Sequence, residues 1–104
     1  MMTSVTDSNF EAFLASGKPV VLDIGAEWCG PCKALAPVIE ELSNVYEGRV
    51  EFGAADVDEC SELVARYRVR GVPTVLFIVG GVLKDKCTGA VSKETLVGKI
   101  DALL

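Results

Sequence analysis

Residues 20–26 read Val-Val-Leu-Asp-Ile-Gly-Ala, an apolar, β-branched run broken by a single acid. A strand that is apolar at both alternating sets of positions must be covered on both faces. Alternation places Val20, Leu22 and Ile24 on one face and Val21, Asp23 and Gly25 on the other. The chain therefore needs helices on both sides of a sheet, and helical patterns flank this run. Phe10, Phe13 and Leu14 recur at helical spacing. Ser8-Asn9-Phe10-Glu11 before them reads as a capping box, and Gly17 then Pro19 end the helix. After the run, a helix extends to about Tyr46 on a stripe of Leu35, Val38, Ile39, Leu42 and Val45, with Gly48 closing it. Pro37 falls within that stripe, removes one backbone bond to the carbonyl of Lys33 and predicts a kink.

The rest of the chain continues the alternation. Val50 to Val57 reads as a strand, Ser61 to Tyr67 as a short helix and Thr74 to Val79 as a strand. Gly80-Gly81 makes a tight hairpin turn into a return strand, Val82 to Thr88. A last helix begins near Ser92 and buries Leu96, Val97, Ile100, Leu103 and Leu104. Val5 adds a short edge strand at the start. This order predicts an α/β fold with a central mixed sheet of four to five strands flanked by four helices. The 104 residues predict one domain spanning 1–104.

The net charge is −5 and histidine is absent. Cys-His and Ser-His-Asp nucleophiles are thereby excluded, and so is a histidine-ligated metal. Nucleic acid is not expected as a partner, because a phosphate backbone demands a basic surface. Arg66, Arg68 and Arg70 form the one basic cluster and read as a solvated edge after a helix. Met1 to Phe10 lacks the basic-then-apolar order of a signal peptide. The longest apolar run, Val75 to Leu83, contains two glycines and falls well short of the roughly 20 residues that a membrane span requires. The expectation is a cytoplasmic protein without membrane contact, monomeric by size. Thiols stay reduced there, so the four cysteines read as catalytic, metal-binding or core rather than as staples.

Cys29-Gly30-Pro31-Cys32 sits where the buried strand ends and a helix begins. Two intervening residues in a helical turn bring two sulfurs within bonding reach. The first cysteine lies at a helix N-terminus, where free N–H groups favour an anion and lower the thiol pKa. The second lies one turn in and is expected to be the more buried. A C-x-x-C pair beside a βαβ pattern is a redox signature. The alternative is half of a zinc site. Zinc takes four ligands, and Cys60 and Cys87 stand alone and far apart in sequence, so no metal site is expected. A cluster shared between two copies is a further alternative. Asp23 is either a hydrogen-bonded structural acid or, lying on the strand that leads into the cysteines, a base whose pKa burial has raised. Cys60 reads as a small core residue, and Cys87 has no chemical context.

Trp28-Cys29-Gly30-Pro31-Cys32-Lys33 resembles the active-site motif of the thioredoxin family. Asp23, six residues before Cys29, is placed like the family's buried aspartate. Val72-Pro73-Thr74 is similar to its cis-proline loop, and Gly81 and Gly89 match its later glycines. The resemblance covers nearly the whole chain and implies a thioredoxin fold and a protein disulfide reductase active in electron transport and redox homeostasis. It implies Cys29 as nucleophile, Cys32 as resolving thiol and Asp23 as acceptor of the Cys32 proton. Gly30 and Pro31 would tune the redox properties toward a reductant. Trp28, Val72 and Pro73 would bind substrate, with Val72 offering backbone groups to an extended segment. The Cys29–Cys32 disulfide would be the redox group, without a cofactor. The implied partners are a thioredoxin reductase and disulfide-containing client proteins.

Two positions depart from the family pattern. Gly25 stands where an aromatic is usual, and Ala54 where many members carry a lysine facing the aspartate. They make a dedicated carrier for one partner system a second reading, and a non-catalytic thioredoxin-like binding subunit a third.

Overall fold

In the computed structural model, which describes residues 2–104, the Val20 run forms the middle of a five-stranded sheet. In chain order the strands are β1 (Thr3–Ser4), β2 (Val20–Gly25), β3 (Glu51–Asp56), β4 (Thr74–Val79) and β5 (Val82–Thr88). Their order across the sheet is β1-β3-β2-β4-β5. β1, β3 and β2 run parallel, β4 is antiparallel to β2, and β5 is antiparallel to β4. The helices are α1 (Phe10–Leu14), α2 (Gly30–Val45), α3 (Ser61–Arg66) and α4 (Lys93–Asp101). This is the mixed, doubly covered sheet that the sequence predicts.

Alternation along β2 separates two cores. Val20, Leu22 and Ile24 pack with Phe10 and Phe13 of α1, Leu63 of α3, and Leu76 and Ile78 of β4. Val21 packs on the opposite face with Leu35, Ile39 and Leu42 of α2 and Leu96 and Ile100 of α4. Each core excludes water from one face of the same strand, so burial on either side fixes the register of β2 against slippage. The hairpin turn is as expected: Gly80 and Gly81 take φ of 59° and 78°, the left-handed pair that a two-residue turn between twisted strands requires. Val5 is buried beside β1, and its N–H donates to the Ala54 carbonyl at 2.8 Å.

Several local expectations are corrected. No capping box forms: Asn9 occupies the N-cap of α1 without a side-chain cap bond, while the Ser8 hydroxyl pairs with Thr6 at 2.8 Å. Asn9 instead ties the chain leading into α1, accepting from Thr6 N–H at 2.7 Å and donating to Ser4 O at 2.8 Å. Glu11 is drawn away to Arg66. Arg66 also lies over the Phe10 and Tyr67 rings, 5.3 Å from each centroid, so it is packed against α1 and is not merely a solvated end. Pro37 lies within α2 on its exposed face, and the helix continues past it to Val45. Val45 and Leu104 are both 58% exposed, against the expected burial: at the end of α2 it is Tyr46, stacked on Phe52, that turns into the core.

Gly53 of β3 was not singled out by pattern. A Cβ there would lie 2.7 Å from both Phe13 Cζ and Val5 Cγ2, so the two side chains fill the space over its backbone. Gly53→Ala is expected to destabilise the chain by about 1–3 kcal/mol through overpacking, measurable as a lower urea midpoint with unchanged slope.

Candidate active site

Cys29 is the N-cap residue of α2, and its Sγ accepts a hydrogen bond from the Cys32 N–H at 3.2 Å. The helix starts there because Cys29 is extended (φ −97°, ψ 109°), Gly30 and Pro31 follow in the first turn, and the Cys29 carbonyl accepts from Lys33 N–H at 3.2 Å. Pro31 removes a donor where a helix leaves its donors unpaired in any case. The sulfur at position 29 is thus the group that satisfies a free helical N–H, and the macrodipole favours its anion. Cys29 and Cys32 are joined as a disulfide with Cα atoms 5.3 Å apart. Their burial is nearly equal, 6% and 7% exposed, which corrects the expectation that Cys32 is the deeper: the bond seats both sulfurs in the same crevice.

Asp23 lies beneath Cys32 on β2. It is 9% exposed, and its Oδ1 is buried without a hydrogen-bond partner. Burial pushes its pKa up to about 6. In the sheet it stands between Ala54 of β3 and Val75 of β4. The position resembling the family's lysine is therefore the direct neighbour of the acid, occupied by a methyl group. Gly25, Ala36, Ala54 and Ala55 are too small to close the space over Asp23 and Cys32, leaving an open cleft of about 250 Å³. A Cβ on Gly25 would stand 3.3 Å from Cys32 Cβ and 3.4 Å from its Sγ.

Val72 and Pro73 come to the same end of the sheet as the cysteines. β2 and β4 are antiparallel, with Ile24 opposite Thr74, so the loop leaving β2 and the loop entering β4 are adjacent. The Val72–Pro73 bond is cis. The Pro73 carbonyl accepts from Gly89 N–H at 2.8 Å, and the Thr74 hydroxyl donates to Gly71 O at 2.6 Å, fixing the loop against the end of β5. Trp28 is 69% exposed on the rim. Its indole N–H donates to Asp58 Oδ2 at 2.8 Å, and Asp58 is itself held by its N–H to Asp56 Oδ1 at 2.9 Å. Asp58 was missed in the sequence, where nothing links an acid in the loop after β3 to a tryptophan 30 positions earlier.

The other thiols are elsewhere. Cys60 is fully buried, its thiol donating to Val5 O at 3.6 Å, as a core residue would. Cys87 is half-buried on β5, and both are unpaired. Burial raises the pKa of each. Among the described residues, no three His, Cys, Asp or Glu side chains come together as metal ligands would.

Two sulfurs that make and break a bond between themselves carry two electrons, and a helix N-terminus makes one of them a ready anion. The class these features define is a dithiol/disulfide oxidoreductase. Residues 1–102 match the family model described as Thioredoxin, and the chain belongs to the thioredoxin family. It is 43% identical over 101 residues to the M-type chloroplastic thioredoxin of Spinacia oleracea, covering 96% of this chain and 56% of that one. Against the thioredoxin of Chlorobaculum thiosulfatiphilum it is 43% identical over 97 residues, 92% of this chain and 90% of the relative. Against that of Acidithiobacillus ferridurans it is 41% identical over 101 residues, 96% and 94% of the two chains.

The raised pKa of Asp23 has a stability consequence. Below the unfolded value of 3.8 both states hold the proton and burial carries no charge penalty; as pH rises through about 6 the folded state must carry a desolvated charge. Stability therefore falls from pH 4 to pH 7, by an amount on the order of 3 kcal/mol. Asp23→Asn is expected to remove this fall, so that urea midpoints of the oxidised variant exceed those of the parent at pH 8 but not at pH 4.

Proposed function

We propose that this chain reduces disulfides of client proteins by thiol–disulfide exchange, with Cys29 as nucleophile and Cys32 as resolving thiol. The observation that carries the reading is the bond from the Cys32 N–H to Cys29 Sγ at the head of α2. It places a partial positive charge against the sulfur that must ionise. The Cys29 thiolate attacks one sulfur of a client disulfide, forming a mixed disulfide and expelling the other as thiolate. Cys32 then gives its proton to Asp23 and attacks Cys29 Sγ. The client leaves with two thiols, and the chain keeps the Cys29–Cys32 bond. Asp23 can accept that proton at neutral pH because its pKa of about 6 leaves it ionised yet basic enough.

Gly30 and Pro31 set how tightly the helix start holds the thiolate, and so the redox poise. Trp28, held through Asp58, borders the groove. Val72 and Pro73 present backbone to an extended client segment, which gives affinity with little sequence preference. A thioredoxin reductase returns the disulfide to dithiol. The unpaired Cys60 and Cys87 fit a reducing compartment, which supports a cytoplasmic setting, and we read the chain as a monomer without nucleic-acid or membrane partners. Among the described residues, no helix is long and apolar enough to cross a membrane.

The test is insulin reduction with dithiothreitol. The parent chain accelerates it, and Cys32→Ser lowers turnover at least about a hundredfold while accumulating a mixed disulfide on Cys29, as loss of one member of a concerted pair does. Equal activity without Cys32 would refute the mechanism. Running the assay with reductase and either NADPH or a ferredoxin system identifies the electron donor. Asp23→Asn is expected to slow the exchange at least about tenfold at pH 7, the lower range of general-base effects, with the difference vanishing below pH 6, where Asp23 holds its own proton. Iodoacetamide alkylation across pH should give Cys29 a pKa well under the roughly 8.5 of a free thiol.

A further inference from the structure

The cleft beside Asp23 is a second approach to the dithiol. Gly25 and Ala54, on the neighbouring strands β2 and β3, line its sheet side, and Cys32 and Asp23 line it as well. The Gly25 Cα carries no side chain where a Cβ would touch Cys32 Sγ at 3.4 Å, so the space abuts the resolving sulfur. Asp23 brings a carboxylate oxygen that is buried and unpartnered, on a residue only 9% exposed. The cleft continues past Gly25 and Ala54 into a hollow of about 280 Å³ that Asp56 also lines. Glu27 lines both spaces, and Lys33 is the one cation on either lining. Three carboxylates against one ammonium make this a place for a positive group.

We propose that the cleft binds a small amine-bearing thiol or its disulfide, which exchanges with Cys32 directly. The dimensions admit a small molecule and not a folded client. An ammonium group at Asp23 would satisfy the unpartnered oxygen and place a short thiol arm toward Cys32 Sγ. In the reduced chain, Cys32 gives up its proton to solvent and its thiolate attacks one sulfur of the small disulfide. That S–S bond breaks, one small thiolate leaves and takes a proton from water, and a mixed disulfide remains on Cys32. The Cys29 thiolate then attacks Cys32 Sγ and expels the second small thiolate. The chain loses two electrons to form Cys29–Cys32, and the small disulfide gains them as two thiols. In reverse, the same steps feed electrons from a small thiol into the chain through Cys32, while clients exchange through Cys29.

The probe is cystamine, a dicationic disulfide, compared with its dianionic counterpart 3,3′-dithiodipropionate. Adduct formation is followed by intact mass and located by peptide mapping. Reduced Cys29→Ser reports Cys32 alone, and reduced Cys32→Ser reports Cys29 alone with the chain's overall charge unchanged. The preference for cystamine is expected to be at least about tenfold greater at Cys32 than at Cys29, the order of effect of one partly screened charge contact. Gly25→Trp in the Cys29→Ser background is expected to slow the Cys32 reaction at least about tenfold by filling the cleft, an accessibility effect of the kind that limits thiol exchange. Ala54→Leu fills it from the neighbouring strand should Gly25→Trp lose its native circular dichroism. Absence of a Cys32 adduct, equal preference at both sulfurs, or an unchanged rate in a folded, filled variant would overturn the proposal. The insulin assay of the parent chain separates the two ideas: activity with an inert Cys32 removes the cleft site alone, and inactivity removes the reductase reading.

Discussion

β2 has to be apolar on both faces and still carry an acid, and the rest of the molecule is arranged around that constraint. Val20, Leu22 and Ile24 anchor one core and Val21 the other, while Asp23 occupies a position on the second face that burial would give to another apolar residue. A lone carboxylate in such a place is held there by the cooperative burial of its neighbours, since a strand locked from both sides cannot shift by one residue to release it. The helices that cover the strand also place the dithiol, because α2 packs Leu35, Ile39 and Leu42 on the face that holds Asp23 and begins with the two cysteines.

The site's polarity follows from two different kinds of charge control. At Cys29 the control is through the backbone: a free N–H and the aligned peptides of α2 favour an anion without any cationic side chain. At Asp23 the control is desolvation, which works against the anion. One anion is favoured and the other disfavoured, on a strand and at the head of the helix that follows it. Desolvation thus brings the proton affinity of the Asp23 carboxyl closer to that of a thiol.

What was legible in the sequence was whatever short-range pattern determines. The β2 alternation, the Thr74–Val79 and Val82–Thr88 strands, the Gly80-Gly81 turn and the Ser92 start of α4 depend on neighbours a few residues away, and each is present. The motif residues fell into one site because they lie at the same end of the sheet. The losses were tertiary. Ser8 and Glu11 had the right spacing for a cap, but Thr6 and Arg66 offered better partners. Gly53 and Asp58 matter through contacts from distant elements, Phe13 and Val5 in one case and Trp28 in the other. Periodicity also cannot tell which of two adjacent apolar side chains turns inward at a helix end, so Val45 read as buried where Tyr46 is, and Leu104 read as buried when it is exposed.

The two margins of the sheet are finished differently. On one side β1 is a strand of two residues, too short to template a further chain. On the other, β5 sets Lys84, Asp85 and Lys86 in succession along the outermost strand, with the Lys86 ammonium reaching back to the Tyr67 and Arg68 carbonyls at 3.4 Å and Asp85 clasped by Lys99 at 2.7 Å. Any polypeptide that added itself to this border would have to bury those charges or strip them of their partners. Each flank of the sheet is thus closed to a further strand in its own way, one by brevity and the other by charge.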